Sequence, residues 1–194
     1  MTDSHPPLAR LKRQIEALSP SLGDGHRGRA SLGLSALDAR LGGGIAKGAV
    51  HELLPCTAED GASAAAFALM LAARLSGSAG KILWIATDAQ LRRGGQPYGP
   101  GLRGLGLDPD QLILVTTPDD LACLKAASDS LACAGLVAVI IEAGETKRLD
   151  LTASRRLALA AERSGVTALL LRPGESVIAS AAASRWQVAS APSV

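Results

Sequence analysis

Residues 53–67 read LLPCTAEDGASAAAF, and the three parts of that stretch call for three conformations. Leu53 and Leu54 close the apolar run AVHELL (49–54), which has the length of a strand buried on both faces. From Ala64 onward the alanines favour helix, for which alanine has the highest propensity. Between them lies a turn containing Gly61. A strand that feeds a helix through such a turn opens a βαβ unit, and the remainder of the chain continues the alternation.

Further strand-length runs are ILWIA (82–86), LILV (112–115), VAVII (137–141) and ALLL (168–171). Helices are predicted over 64–75, 119–133 and 152–163, the last with Thr152 placed to cap its first turn. The pattern predicts an α/β fold with a mostly parallel sheet flanked by helices and joined by right-handed crossovers. Ligands of such sheets bind outside the carboxyl ends of the strands, so the loops at 55–63, 87–101 and 142–151 should share one edge.

Composition narrows the function classes. The 194 residues, 47% hydrophobic, suffice for one well-cored domain. Lys and Arg number 20 against 18 Asp and Glu, a net charge of +2, so no large field draws in nucleic acid or anionic membrane. Aromatics at 2% leave almost no rings on which bases could stack. Cys56, Cys123 and Cys133 form no CxxC pair, which supports neither a disulfide framework nor a zinc site and points to a reduced cytoplasm. No run approaches the roughly 20 apolar residues of a membrane span, and the N-terminus lacks a leader's apolar region.

Residues 8–18, LARLKRQIEAL, place Leu8, Leu11, Ile15 and Leu18 on one apolar helical stripe. The Gly- and Ser-rich SPSLGDGHRGRAS (19–31) then reads as a linker. Residues 1–30 are therefore predicted to be an N-terminal helix and flexible linker, and residues 31–194 the core domain. The helix either folds back on its own domain, mediates self-association or docks on a partner.

The turn at 55–63 stands where a phosphate loop belongs. A working loop, G-x-x-x-x-G-K-[ST], needs amides around the phosphates, a lysine to neutralise them and a hydroxyl for magnesium. With Gly61 and Ser63 in the second glycine and hydroxyl places, Ala62 replaces the lysine and Pro55 the first glycine, one residue too far away. Glu59 and Asp60 are predicted to face the triphosphate, and like charges about 4 Å apart repel by roughly 4 kcal/mol at an effective dielectric near 20. Glu142, after VAVII, stands as a remnant metal position, and Asp88 as a base for an attacking water; without a lysine neither has a triphosphate to serve. No catalytic residue, metal or cofactor is expected.

His51 reads as core or edge filler, Trp84 as core, and Trp186 as a contact surface on the last strand. RRGGQPYGPG (92–101) reads as a mobile loop in the place of nucleotide-sensing elements. Lys147, Arg148, Arg155 and Arg156 cluster after the fourth strand, the arginines expected in the first turn of a helix against its positive end. This group reads three ways: a grip on DNA phosphates, a partner contact, or a solvated face.

SLGLSALDARLGGGIAKGAVHELL (31–54) resembles the entry to the ATPase core of RecA-family recombinases, and LGLDPDQLILVTTPD (105–119) resembles their corresponding stretch. Together with PYGPGLRGLGLDPDQL (97–112), LDLTASRRLALAAERSGVTALLLRP (149–173) and the missing lysine, the chain resembles the ImuA family over about residues 8–190. These are RecA-like accessory proteins encoded beside an inactive Y-family polymerase homologue, ImuB, and an error-prone replicative-type polymerase. The resemblance implies a RecA-like fold with a degenerate phosphate loop. It implies a role in DNA-damage-induced translesion synthesis and mutagenesis, exerted through contacts with ImuB, with DNA and the recombinase RecA as further candidate partners. The family usually continues past SRWQVASAPS with a further basic tail, so a truncated or short member is implied. Two rival readings are a DNA-stimulated ATPase that regulates recombinase filaments and a RecA-like inhibitor of cell division.

Overall fold

The computed structural model describes residues 28–77, 80–133, 135–144, 149–172 and 179–192. The stripe of Leu8, Leu11, Ile15 and Leu18 lies outside the described residues, as do Lys147 and Arg148.

The chain opens on β1 (Arg29–Ala30), α1 (Ser35–Arg40) and β2 (Ile45–Ala46). β1 and β2 pair antiparallel, Arg29 opposite Ala46 and Ala30 opposite Ile45. Arg29 and Ala30, placed by sequence in the linker, thus belong to the body, and Ala30 is buried in its core. There follow β3 (Val50–Pro55), a 3-10 turn (Ala58–Asp60), α2 (Gly61–Ser76), β4 (Lys81–Thr87), α3 (Asp88–Gly94) and α4 (Gly99–Gly104). Then come β5 (Leu112–Thr117), α5 (Asp120–Leu131), β6 (Leu136–Glu142), α6 (Leu151–Ser164), β7 (Thr167–Leu171) and β8 (Ser184–Val188).

Strands β3 to β8 form one six-stranded sheet in the order β5-β4-β6-β7-β3-β8, parallel at every pairing. Its side chains alternate between two cores, as strands covered on both faces require. Leu53, Trp84, Ile140 and Leu169 point to the face covered by α2, and Val50, Ile85, Ile141 and Leu170 to the face covered by α5 and α6. The α/β fold with a parallel sheet flanked by helices is thus as the alternation predicts.

Three local features differ from the sequence reading. Asp150, not Thr152, caps α6: its carboxylate accepts from the Ala153 amide at 2.7 Å, and Thr152 is already inside the helix. Arg155 and Arg156 consequently fall beyond the first turn, where the pull of the helix dipole has faded. Nor is 92–101 one loop, because α3 reaches Gly94 and α4 begins at Gly99. Thr87 starts α3 by accepting from the Gln90 amide at 3.2 Å, and Pro100 in the first turn of α4 needs no donor there.

Candidate functional site

The turn after β3 sits at the carboxyl edge of the sheet with the turns after β4, β5 and β6. Cys56 first hands its amide to the Val188 carbonyl at 2.9 Å, which ties the turn to the exit of β8. Asp60 then bonds inward. One carboxylate oxygen accepts from the Thr57 amide at 3.1 Å and the Thr57 hydroxyl at 2.9 Å. The other accepts from the Ser190 hydroxyl at 2.6 Å and amide at 2.8 Å. Asp60 therefore does not face a ligand, as its place in the loop suggests; its carboxylate takes up amides of its own chain.

Gly61 sits at φ −55°, an ordinary right-handed helical value, with open space where a Cβ would stand. Anion nests alternate right- and left-handed backbone, and Gly61 supplies no left-handed step. Pro55 ends β3, while Ala62 and Ser63 lie in the first turn of α2. Electrostatics agree at the strand ends: Glu59, Asp60, Asp88, Asp119 and Asp120 follow them, Glu142 ends β6, and residues 56–63, 88–90, 118–121 and 142–144 contain no lysine or arginine, while Arg92 and Arg93 lie further on, in the last turn of α3.

Glu142 ends β6 on the α2 side of the sheet and accepts the Trp84 indole N–H at 3.0 Å. Burial pushes its carboxyl above the ordinary value, and the indole partly offsets this. Trp84 is core, and Glu142 is its partner. Asp88 is exposed at the start of α3. Among the described residues no group of three His, Cys, Asp or Glu is placed to hold a metal ion. Burial also pushes the Cys123 thiol up to about 12, which removes it as a nucleophile.

The hydrogen bonds hold the Asp60 carboxyl down to about 2, the Ser190 hydroxyl contributing most. A carboxyl depressed on folding contributes stability that is present above its unfolded value near 3.8 and is lost as pH falls through about 2. Thermal melts should therefore show the wild type losing more than Asp60→Asn between about pH 4 and pH 2, where the variant has no carboxyl to titrate. Parallel acid limbs would show that the Ser190 tie contributes nothing.

Two arrangements escaped the sequence reading. The first is a buried ion network on the α6 side. Glu52 is fully buried; Arg172 Nη1 donates to one oxygen at 2.7 Å, and Arg185 grips the other through Nε at 2.7 Å and Nη2 at 2.6 Å. The second surrounds His51, which is 1% exposed. Its Nε2–H donates to the Ala46 carbonyl at 2.8 Å and its Nδ1 accepts from the Ser184 hydroxyl at 2.7 Å, which in turn accepts the Trp186 indole N–H at 2.7 Å. Burial lowers the His51 pKa, and that agrees with a neutral ring. Trp186 is half-buried against Phe67, ring centroids 5.4 Å apart.

Arg155 and Arg156 stand exposed on α6, with Leu151 (48% exposed) and Leu159 (41%) on either side. Of the four basic residues grouped by sequence, these two are the described ones.

No protein-family model matches the chain. Over 165 residues it is 37% identical to Protein ImuA of Caulobacter vibrioides, in two strains, the match covering 78% of this chain and 64% of the relative's own length. It is also similar to the crystal structure of SulA from Pseudomonas aeruginosa, with a TM-score of 0.48 and 21% identity over 64% of this chain and 98% of that one.

Proposed function

The chain belongs to the ImuA family, and on that premise we propose that it is a non-catalytic, RecA-like adaptor in DNA-damage-induced translesion synthesis and mutagenesis. It acts in the cytoplasm by binding the inactive Y-family polymerase homologue ImuB. The observation that carries the reading is the turn after β3, where Asp60 is spent on Thr57 and Ser190 and Ala62 replaces the cation. A nucleotide motor needs the opposite: free amides, a lysine and a positive edge.

The outer face of α6 suits a protein partner. Leu151, Arg155 and Leu159 are spaced by four, so they line one side of the helix. Arginines alone would fit DNA phosphates, but solvent-facing leucines on both sides gain from contact with apolar groups of a protein.

Size-exclusion chromatography with light scattering tests both parts. The chain and the ImuB-type homologue are expected to elute as one mixed complex, weakened at least tenfold by Leu151→Asp with Leu159→Asp. Separate elution of the wild-type proteins would overturn the adaptor reading. An undiminished complex with the double variant would remove α6 as its surface.

A further inference from the structure

A cleft of about 380 Å³ lies at the opposite edge of the sheet, by the amino ends of β3 and β8. Arg29, Arg40, Gly42, Gly44, His51 and Ser184 are among its lining residues, and among the described residues no carboxylate lines it. His51 and Ser184 are already bonded to each other and to Ala46 and Trp186, so they form a neutral wall. The charge comes from the two arginines. Arg29 uses Nη1 on the Gly44 carbonyl at 3.1 Å. Arg40, exposed in the last turn of α1, has neither a hydrogen bond nor an ion pair among the described residues. Asp38, the nearest acid in sequence, is held away by the Ser31 hydroxyl at 2.7 Å and the Leu32 amide at 2.8 Å.

We infer that this cleft binds a phosphate-type oxyanion between the guanidinium groups of Arg29 and Arg40. Two cationic forks on one concave surface with no acid between them attract an anion and match its oxygens with paired donors. A lone carboxylate is satisfied in its plane by one fork, whereas a tetrahedral oxyanion offers oxygens to donors from two sides. Gly42 and Gly43, at φ +66° and +110°, would direct a Cβ against the Arg29 side chain, so the bare backbone leaves that side chain its place on the cleft wall. The site is independent of the adaptor reading. Its ligand chemistry is shared by free phosphate and by the phosphodiesters of a nucleic acid strand.

Amide NMR of the full chain tests the inference, with inorganic phosphate and a short oligothymidylate as separate titrants. The signals of Gly42 to Gly44 are expected to shift saturably with millimolar phosphate. Arg40→Gln should weaken that binding about tenfold, as loss of a charge-assisted contact does. Lys125→Gln removes the same charge from an exposed position on α5 and should leave the binding unchanged. Arg40 supports no described contact, so its variant should fold. If the oligothymidylate moves the same amides and competes with phosphate, the source is a nucleic acid strand; if phosphate alone binds, it is a free oxyanion. Unsaturable shifts, or equal binding by Arg40→Gln and the wild type, would overturn the site.

Discussion

Glu52→Gln should destabilise the protein by about 3–5 kcal/mol, because it leaves a buried arginine without its counter-ion. The glutamine keeps the size of the side chain and removes only the charge. In the wild type the Glu52 side chain is 0% and the Arg172 side chain 1% exposed, at 2.7 Å from each other. Arg172 Nη2 has a second acceptor, the Leu149 carbonyl at 2.9 Å, but its buried Nε has no partner among the described residues. The network already carries one unmet donor, and the variant would add an uncompensated charge. Arg185, 29% exposed, can turn to water and loses less. For a domain stable by about 5–15 kcal/mol, the expected loss is a large fraction of the total.

Urea denaturation reads this directly, and a second variant separates charge from packing. Glu52→Leu combined with Arg172→Met replaces the pair by apolar groups and should regain most of the loss, since buried pairs tend to break even against well-packed hydrophobic ones. A Glu52→Gln loss under about 1 kcal/mol would mean that water reaches Arg172. The network also joins β3 to the end of β7 and the start of β8, so its loss should loosen the strand that leads into the turn at 56–60.

Glu52 also marks what the sequence hides. Strands covered on both faces are written as unbroken apolar runs, so β4, β6 and β7 are legible without a partner in view. Within such a run a lone glutamate gives no sign that it is buried, because Arg172 and Arg185 lie 120 and 133 residues downstream. Asp60 is hidden for the same reason: Ser190 is 130 residues away, and local order alone shows only an acid in the turn after β3. That residue 62 is alanine and that 56–63 hold no lysine reads directly. The short helices α3 and α4 are masked by glycines and prolines that signal loop, though Thr87 and Pro100 serve as their start signals. The Arg29 and Arg40 cleft needs the β1–β2 ladder to bring its walls together, and a two-residue strand has no periodicity to detect.

Alanine at three glycines should give three different results. Gly44→Ala is expected to lose about 3 kcal/mol or more: its Cβ would overlap the Ala30 carbonyl oxygen, a backbone atom that cannot step aside, at a φ of +117° that side chains rarely adopt. Gly42→Ala should lose only about 1–2 kcal/mol, the strain of a left-handed φ of +66°, since the nearest atoms belong to the movable Arg29 side chain at 3.8 Å. Gly61→Ala should gain about 0.5–1 kcal/mol, because its φ of −55° is helical, its Cβ meets open space, and alanine narrows the unfolded ensemble. A phosphate loop uses its glycines for close backbone approach to the ligand, so a side chain there obstructs binding. Denaturation curves that rank the variants in this order would show that the turn after β3 folds without a bare backbone at 61, while Gly44 holds the turn that builds the opposite cleft. A loss of stability in Gly61→Ala would mean that the turn depends on its bare backbone, and would return the nucleotide question to this loop.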